Sequence, residues 1–239
     1  MTAIEQLVAH VGHRVHLCRA REVGLLLRWA GDLEGQVVLD VAGGDGYWAG
    51  VARGRGARPV ALDLDLAKLR RGAGLEPAVG LVAGDALALP VRSAVVDVVL
   101  SVCALEHFDD GSAALAEMAR VLKPGGRLLL SADVLSESHD QPRERARHVE
   151  RYHVQDTYDH ERLARLLRGC GMDLVRYAYQ FRSSWAQRLY LGVSAYGGRA
   201  GWNASAPLAP LVAWSDRRTP NSGGSIVVIE ARRRAGALP

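Results

Sequence analysis

Val38-Leu-Asp-Val-Ala-Gly-Gly-Asp-Gly-Tyr-Trp48 is the stretch on which the fold turns. Its first half belongs to the run Val37-Val-Leu-Asp-Val41, β-branched and apolar without alternation, as in a strand buried on both faces. Its second half sets Ala42-Gly-Gly-Asp-Gly46 as a tight turn before a short helical segment, Tyr47 to Arg53. Glycine carries no Cβ, so a backbone built from it can approach a ligand closely. A strand, a small-residue turn and a helix could still be a plain connection. What lies on either side decides.

Downstream, Pro59–Asp63, Val79–Ala83, Val95–Ser101 and Arg127–Ala132 read as further strands. Helices are expected over Leu66–Arg71 and Ser112–Leu122, the second with Leu115, Met118, Ala119 and Leu122 on one side and Lys123-Pro-Gly-Gly126 as its stop. Strands alternating with helices at short intervals imply a parallel sheet with helices on both faces. Right-handed crossovers then gather the strand C-terminal ends at one edge, where such sheets bind ligands. Upstream, residues 3–33 have helical periodicity, broken by Gly31 and Gly35. Beyond the core, 133–160 is polar and without pattern. Asp159–Cys170 reads as a helix, Met172–Ala178 as a strand, 180–214 as apolar but irregular, and Ser225–Ala231 as the last strand.

The 239 residues suffice for one large α/β domain. A formal charge of +4 comes from arginines spread along the chain, with Lys68 and Lys123 the only lysines, so no nucleic-acid partner is expected. Cys18, Cys103 and Cys170 are too few and too scattered for a disulfide framework or a structural zinc site, and no metal is expected. No apolar run reaches the length of a membrane span, and Met1 to Gln6 lacks the features of a signal peptide, so a cytoplasmic protein without a membrane partner is expected.

Asp63 ends the second strand, where a carboxylate can accept hydrogen bonds from two ribose hydroxyls. Asp85 follows the third strand, placed to accept from an adenine amino group. With these in place, the set Val38 to Gly46, Ala61-Leu-Asp63, Gly84-Asp-Ala-Leu-Ala-Leu-Pro90, Val96-Asp-Val-Val-Leu-Ser101, Leu105-Glu-His107 and Met118 to Gly126 resembles the class I S-adenosylmethionine-dependent methyltransferases, in particular the group called methyltransferase type 11. The resemblance covers residues 34–132 with order and spacing intact.

It implies an α/β, doubly wound, mostly parallel seven-stranded sheet with helices on both faces, an N-terminal helical cap (1–34), a cofactor-binding core (35–132) and an acceptor-side part (133–239) with an insertion before the last strand. It implies S-adenosyl-L-methionine as cofactor and S-adenosyl-L-homocysteine as product. Asp40 would hold the Gly loop and face the methionine end; Ala42, Gly43 and Gly44 would let the amino-acid part and ribose pass. Asp63, with Leu64, would bind the ribose. Gly84, Asp85 and Ala86 would read the adenine, and Ser101, Val102 and Cys103 would line the methionine side. Ala42 departs from the family's Gly-x-Gly-x-Gly turn, and Asp65 stands where many relatives have Ser; it suits a helix N-cap. A dinucleotide-binding Rossmann domain is the structural rival. It calls for Gly-x-Gly-x-x-Gly, which Gly46-Tyr-Trp48 fits poorly, and it leaves Asp85 and Lys-Pro-Gly-Gly without a role.

Methyl transfer needs alignment of an acceptor lone pair and, for a hydroxyl, a base. His107, at the expected catalytic edge, is the first candidate, against the alternative of a loop histidine packed near the cofactor. His148, Tyr152 and His153 are candidate acceptor contacts, as is Trp185 among the aromatics Tyr190, Tyr196, Trp202 and Trp214. These could form an apolar acceptor pocket or pack a helical cap. His10, His13 and His16 recur at threes, better suited to a surface or lid face than to a metal. The expected function is O-methylation of a small molecule, with a homodimer left open. The alternatives are a non-transferring cofactor-binding protein of the same fold and a methyltransferase acting on RNA or protein.

Overall fold

A computed structural model describes residues 16–135 and 141–236. His10 and His13 therefore lie outside the described residues. The elements are α1 (Leu17–Ala30), β1 (Val37–Val41), α2 (Tyr47–Arg53), β2 (Arg58–Asp63), α3 (Leu66–Leu75), β3 (Gly80–Ala83), β4 (Val96–Val102), α4 (Gly111–Val121), β5 (Leu122–Asp133), α5 (Pro142–Tyr152), α6 (His160–Gly169), β6 (Met172–Gln180), α7 (Ser184–Gly192), α8 (Gly198–Ala204), α9 (Ala209–Arg218) and β7 (Ile226–Arg233).

The seven strands form one sheet in the order β3-β2-β1-β4-β5-β7-β6. Every pairing is parallel except those of β7, which runs antiparallel to both β5 and β6. The doubly wound, mostly parallel seven-stranded sheet is as expected. From β1 the chain first builds outward through β2 and β3, then returns to lay β4 on the other side. Asp40 pairs in register with Ala61 and Leu100, and Asp63 with Ala83, so the carboxyl ends of these strands open on one crevice.

Alternation along β5 divides the core. Leu128 and Leu130 face Leu115 and Met118 of α4 and Leu163 and Leu167 of α6. Leu129 faces the other way, with Leu26 and Leu27 of α1, Phe181, Trp202 and Val212. Caps set the helix starts: Asp65 accepts from the amides of Ala67 and Lys68 and so begins α3, while Asp110 and Asp159 begin α4 and α6 in the same way.

Three local readings need correction. First, β5 starts at Leu122, not Arg127. The Pro-Gly-Gly segment is accommodated as a register shift, with Val96 opposite Leu122 and Val98 opposite Arg127. Lys123 reaches back to Asp97 at 2.8 Å, whose other oxygen accepts from the Val37 amide. Second, part of the stretch read as patternless, 133–160, is the helix α5. It buries only His148 among its residues and is held by polar contacts: Arg151 to the Ala195 carbonyl, Arg147 over the Tyr196 ring and Tyr196 to Glu144. Third, the irregular 180–214 segment belongs to a succession of short helices, with a π-helical turn at Val193–Gly197.

Candidate active site

The crevice outside β1 and β4 holds a cavity of about 710 Å³. Its floor is the Gly loop. The Gly43 amide donates to the Leu62 carbonyl at 3.0 Å, and the Gly44 amide donates to Asp63 Oδ2 at 2.8 Å, while Asp63 Oδ1 accepts from the Asp65 amide. The second strand's carboxylate is thereby locked against the loop. A Cβ on Gly43 would stand 2.7 Å from Asp40 Oδ2, so no side chain fits there unless Asp40 moves. Ala42 adopts φ +58°, the left-handed region that costs an alanine about 1 kcal/mol, which explains why a glycine suits this position.

Asp40 is buried at the end of β1, and its Oδ2 has no hydrogen-bond partner among the described residues. Burial pushes its pKa up to about 7, against a downward pull from the Ala49 amide. Asp85 turns one oxygen onto the Leu87 amide at 2.9 Å, leaving the rest of its exposed carboxylate at the rim beside the buried Ala86. Two cations from α3 complete this side, Lys68 at 4.0 Å from Asp63 and Arg71 at 3.4 Å from Asp45.

The opposite wall comes from α1, the Leu105–His107 turn, α5 and α8. His16 caps α1 by accepting from the Arg19 amide, and its ring stacks on Trp202 at 5.3 Å. Behind it lies a buried polar cluster. Glu22 accepts from Cys18 Sγ, Cys103 Sγ and Ser131 Oγ, and pairs with Arg19 at 3.2 Å. Burial raises the Cys103 thiol well above its ordinary range, so it stays protonated and unreactive. Cys103, Glu106 and Asp133 offer donor atoms within 4.8 Å of one another, but a protonated thiol is a poor metal ligand, and Asp133 is already engaged.

A recess of about 50 Å³ lies against the main cavity and shares His16, Arg19, His107, Tyr152 and Trp202 with it. In it, Asp133 receives His148 Nε2 at 2.7 Å on one oxygen and Tyr190 Oη at 2.6 Å on the other. Burial alone would raise the Asp133 pKa; these two contacts outweigh it and hold it below the usual range. Glu106 is pushed well up by burial and by the Asp133 charge, so it carries its proton near neutrality. Burial lowers His107, which is therefore neutral at pH 7.

Thirteen of the residues singled out from sequence line the main cavity: Asp40, Ala42, Gly43, Gly44, Asp63, Leu64, Gly84, Asp85, Ala86, Val102, Cys103, His107 and Tyr152. His148 lines the recess. Three lie elsewhere. Ser101 is buried in β4 and lines neither space, because strand alternation turns it away. His153 caps α5 at φ +52° and is exposed. Trp185 is 38 % exposed and donates from Nε1 to Ser215 Oγ, on the outside of the helical insertion. Of the aromatics grouped with it, Trp202 lines the cavity and Tyr190 the recess, while Tyr196 and Trp214 are exposed. Arg19 and Lys68 were not foreseen. Lys68 stands five residues after Asp63, in the first turn of α3, a local signal that could have found it, whereas Arg19 reaches the cavity only through long-range packing of α1.

A family model described as a methyltransferase domain matches residues 39–130. A demethylmenaquinone methyltransferase from Renibacterium salmoninarum is 39% identical over 107 residues, covering 45% of each chain. The matched stretch thus spans just under half of that relative. Among solved structures, geranyl diphosphate C-methyltransferase from Streptomyces coelicolor A3(2) superposes with a TM-score of 0.67 at 17% identity, covering 90% of this chain and 76% of that one. The [4+2]-cyclase SpnF superposes at 0.64 with 21% identity, covering 91% and 82%. At such identities the likeness is one of fold. The sheet order, the Gly loop beside Asp63 and the matched segment converge: residues 39–130 match a methyltransferase domain model, and the fold is that of the methyltransferase structures on which the chain superposes.

Proposed function

We propose that the protein transfers a methyl group from S-adenosyl-L-methionine to a hydroxyl oxygen of a small molecule, releasing S-adenosyl-L-homocysteine. The observation that carries this reading is the Gly44 amide on Asp63, which sets a carboxylate at the end of β2 against a cavity floored by the Gly loop. The residues fit that cofactor. Asp63 retains acceptor capacity for ribose hydroxyls, Asp85 and the Ala86 amide stand where an adenine edge would be read, and the unpartnered Asp40 Oδ2 suits an ammonium group. When bound, the cofactor supplies an electrophilic methyl group on a sulfonium. The chain's own work is to orient the acceptor, exclude water and take a proton. Trp48, Phe108 and Trp202 give the cavity apolar surface for the acceptor body.

Supporting this reading, the curated relative is a methyltransferase of a small molecule by name. No helix among the described residues is long and apolar enough to cross a membrane. We place the reaction in the cytoplasm and on a free small molecule, with no nucleic acid involved; sedimentation of the purified chain scores a homodimer. A second reading, cofactor binding without methyl transfer, is favoured by one observation, the same fold in a protein named as a cyclase. Calorimetric titration with S-adenosyl-L-methionine, S-adenosyl-L-homocysteine and NAD tests the cofactor. Saturable binding of the first two, weakened about 10- to 100-fold in Asp63→Ala as expected for loss of charged hydrogen bonds, supports it. Preference for NAD, or no binding, sinks it. A labelled-methyl product assay then separates the two readings.

A further inference from the structure

The recess behind the main cavity contains a base that the chemistry above has not used. His148 is buried in α5, and its Nε2 lies 2.7 Å from Asp133 Oδ2. Asp133 is held as a carboxylate, with Tyr190 donating to its other oxygen. A carboxylate can only accept, so Nε2 is the ring nitrogen that donates to Asp133. In the neutral imidazole Nδ1 is then the lone pair. It is buried and has no hydrogen-bond partner among the described residues, on a ring that lines the recess. An unsatisfied acceptor buried at the wall of a recess that shares lining residues with the main cavity is a costly feature unless something donates to it.

Resting on the methyl-transfer reading, we propose that His148 is the catalytic base, positioned by Asp133, and that the acceptor is an O–H acid, a phenol or enol, whose hydroxyl enters the recess while its apolar body lies against Trp202. The proton on the acceptor oxygen passes to His148 Nδ1. The oxygen lone pair, or the ring carbon beside it made electron-rich by the ionised oxygen, bonds to the methyl carbon, and the electron pair of the broken carbon–sulfur bond stays on sulfur. The positive charge that leaves the sulfonium is thereby retained on the imidazolium, next to Asp133. When a ring carbon takes the methyl group, that carbon's own proton is shed to water as the ring recovers aromaticity.

His107 is the competing base, since its Nδ1 is also buried and unpartnered. Among the described residues no carboxylate is hydrogen-bonded to its ring, and burial disfavours its cation. The titratable and charged groups that share the recess with His148 are Asp133 of β5, Tyr190 of α7, Tyr152 on its own helix, and His16, Cys18, Arg19, Glu106 and His107.

The test uses the full chain with S-adenosyl-L-homocysteine, which blocks turnover, and 4-nitrocatechol, whose ionised form absorbs in the visible. At a pH where the free probe is largely neutral, the wild type is expected to give a saturable phenolate spectrum. His148→Gln abolishes it, and Asp133→Asn, nearly isosteric and thus insensitive to packing loss, diminishes it, both with unchanged calorimetric affinity for S-adenosyl-L-homocysteine. A spectrum that persists in His148→Gln, is lost only in His107→Gln, or is absent from the wild type overturns the proposal. Failure of the cofactor reading is distinguishable: calorimetry is then silent, while the probe still reports on His148.

Discussion

The polar contacts of the Gly-loop wall are short in sequence: Gly44 to Asp63 spans 19 residues, and Asp65 to Ala67 and Asp85 to Leu87 span two. Across the cavity, short contacts such as Cys18 to Glu22 are joined by long ones: Glu22 to Ser131 spans 109 residues, Glu22 to Cys103 81 and Tyr190 to Asp133 57. Short contacts are built by turns and caps that nearby residues dictate, so the Gly-loop wall forms wherever its strands form. The helical wall forms only when α1, β5, α5 and α7 have all docked. A site divided this way can keep one half constant while the other is remodelled for a different acceptor.

The difference can be broken experimentally. The largest effect is expected from pH acting on Asp40. Its carboxyl ionises near 3.8 when unfolded and near 7 when folded. Below about 4 both states are protonated. As pH rises toward 7, the unfolded state loses its proton while the folded state keeps it, so stability falls by on the order of 4 kcal/mol and then levels off. Urea midpoints measured across this window should show that fall, and Asp40→Asn should reduce it, with buried Glu106 contributing a slope of the same sign in both proteins. An unchanged slope in the variant would show that the Gly-loop wall stores no such cost.

Glu22→Ala strikes the other wall. It strips four donors of their acceptor and leaves the Arg19 guanidinium, one third exposed, without its carboxylate. A loss of about 3 kcal/mol in denaturant unfolding is expected, the low end for a broken buried pair because Arg19 is partly in water. If the cost is within experimental scatter, the helical wall is held by apolar packing alone. Gly43→Ala sharpens the contrast, since its methyl must displace Asp40. A loss of about 1–3 kcal/mol is expected, with weaker cofactor binding but an unaltered 4-nitrocatechol spectrum. The smallest effect is Ala42→Gly, which relieves the left-handed strain while adding chain entropy to the unfolded state. The net gain should stay below about 1 kcal/mol in thermal melts.

The same distinction explains what could be read in advance. β1 and α2 carry the bounds expected of them because a doubly buried strand and a following small-residue turn leave an unambiguous local pattern. α5 left none: Pro-Arg-Glu-Arg-Ala-Arg-His-Val-Glu-Arg-Tyr has no apolar stripe, and its docking depends on His148 finding Asp133 and Arg151 finding Ala195. Trp185 looked like a pocket residue because aromatics cluster around it in sequence. Whether a ring faces a cavity or solvent is settled by how short helices rotate against the sheet, and that carries no sequence period.

By itself, then, the sequence determined the parallel half-sheet, its ligand-binding edge and the residues of the Gly loop, Asp63 and Asp85, since hydrophobic periodicity, turn chemistry and caps act over a few residues. Only the tertiary structure decided the insertion of β7 between β5 and β6, the burial of Glu22 among two thiols and a hydroxyl, and the meeting of Asp133, His148 and Tyr190 at one recess. Those depend on bringing distant segments together, where charge, burial and shape act jointly and no single segment records the outcome.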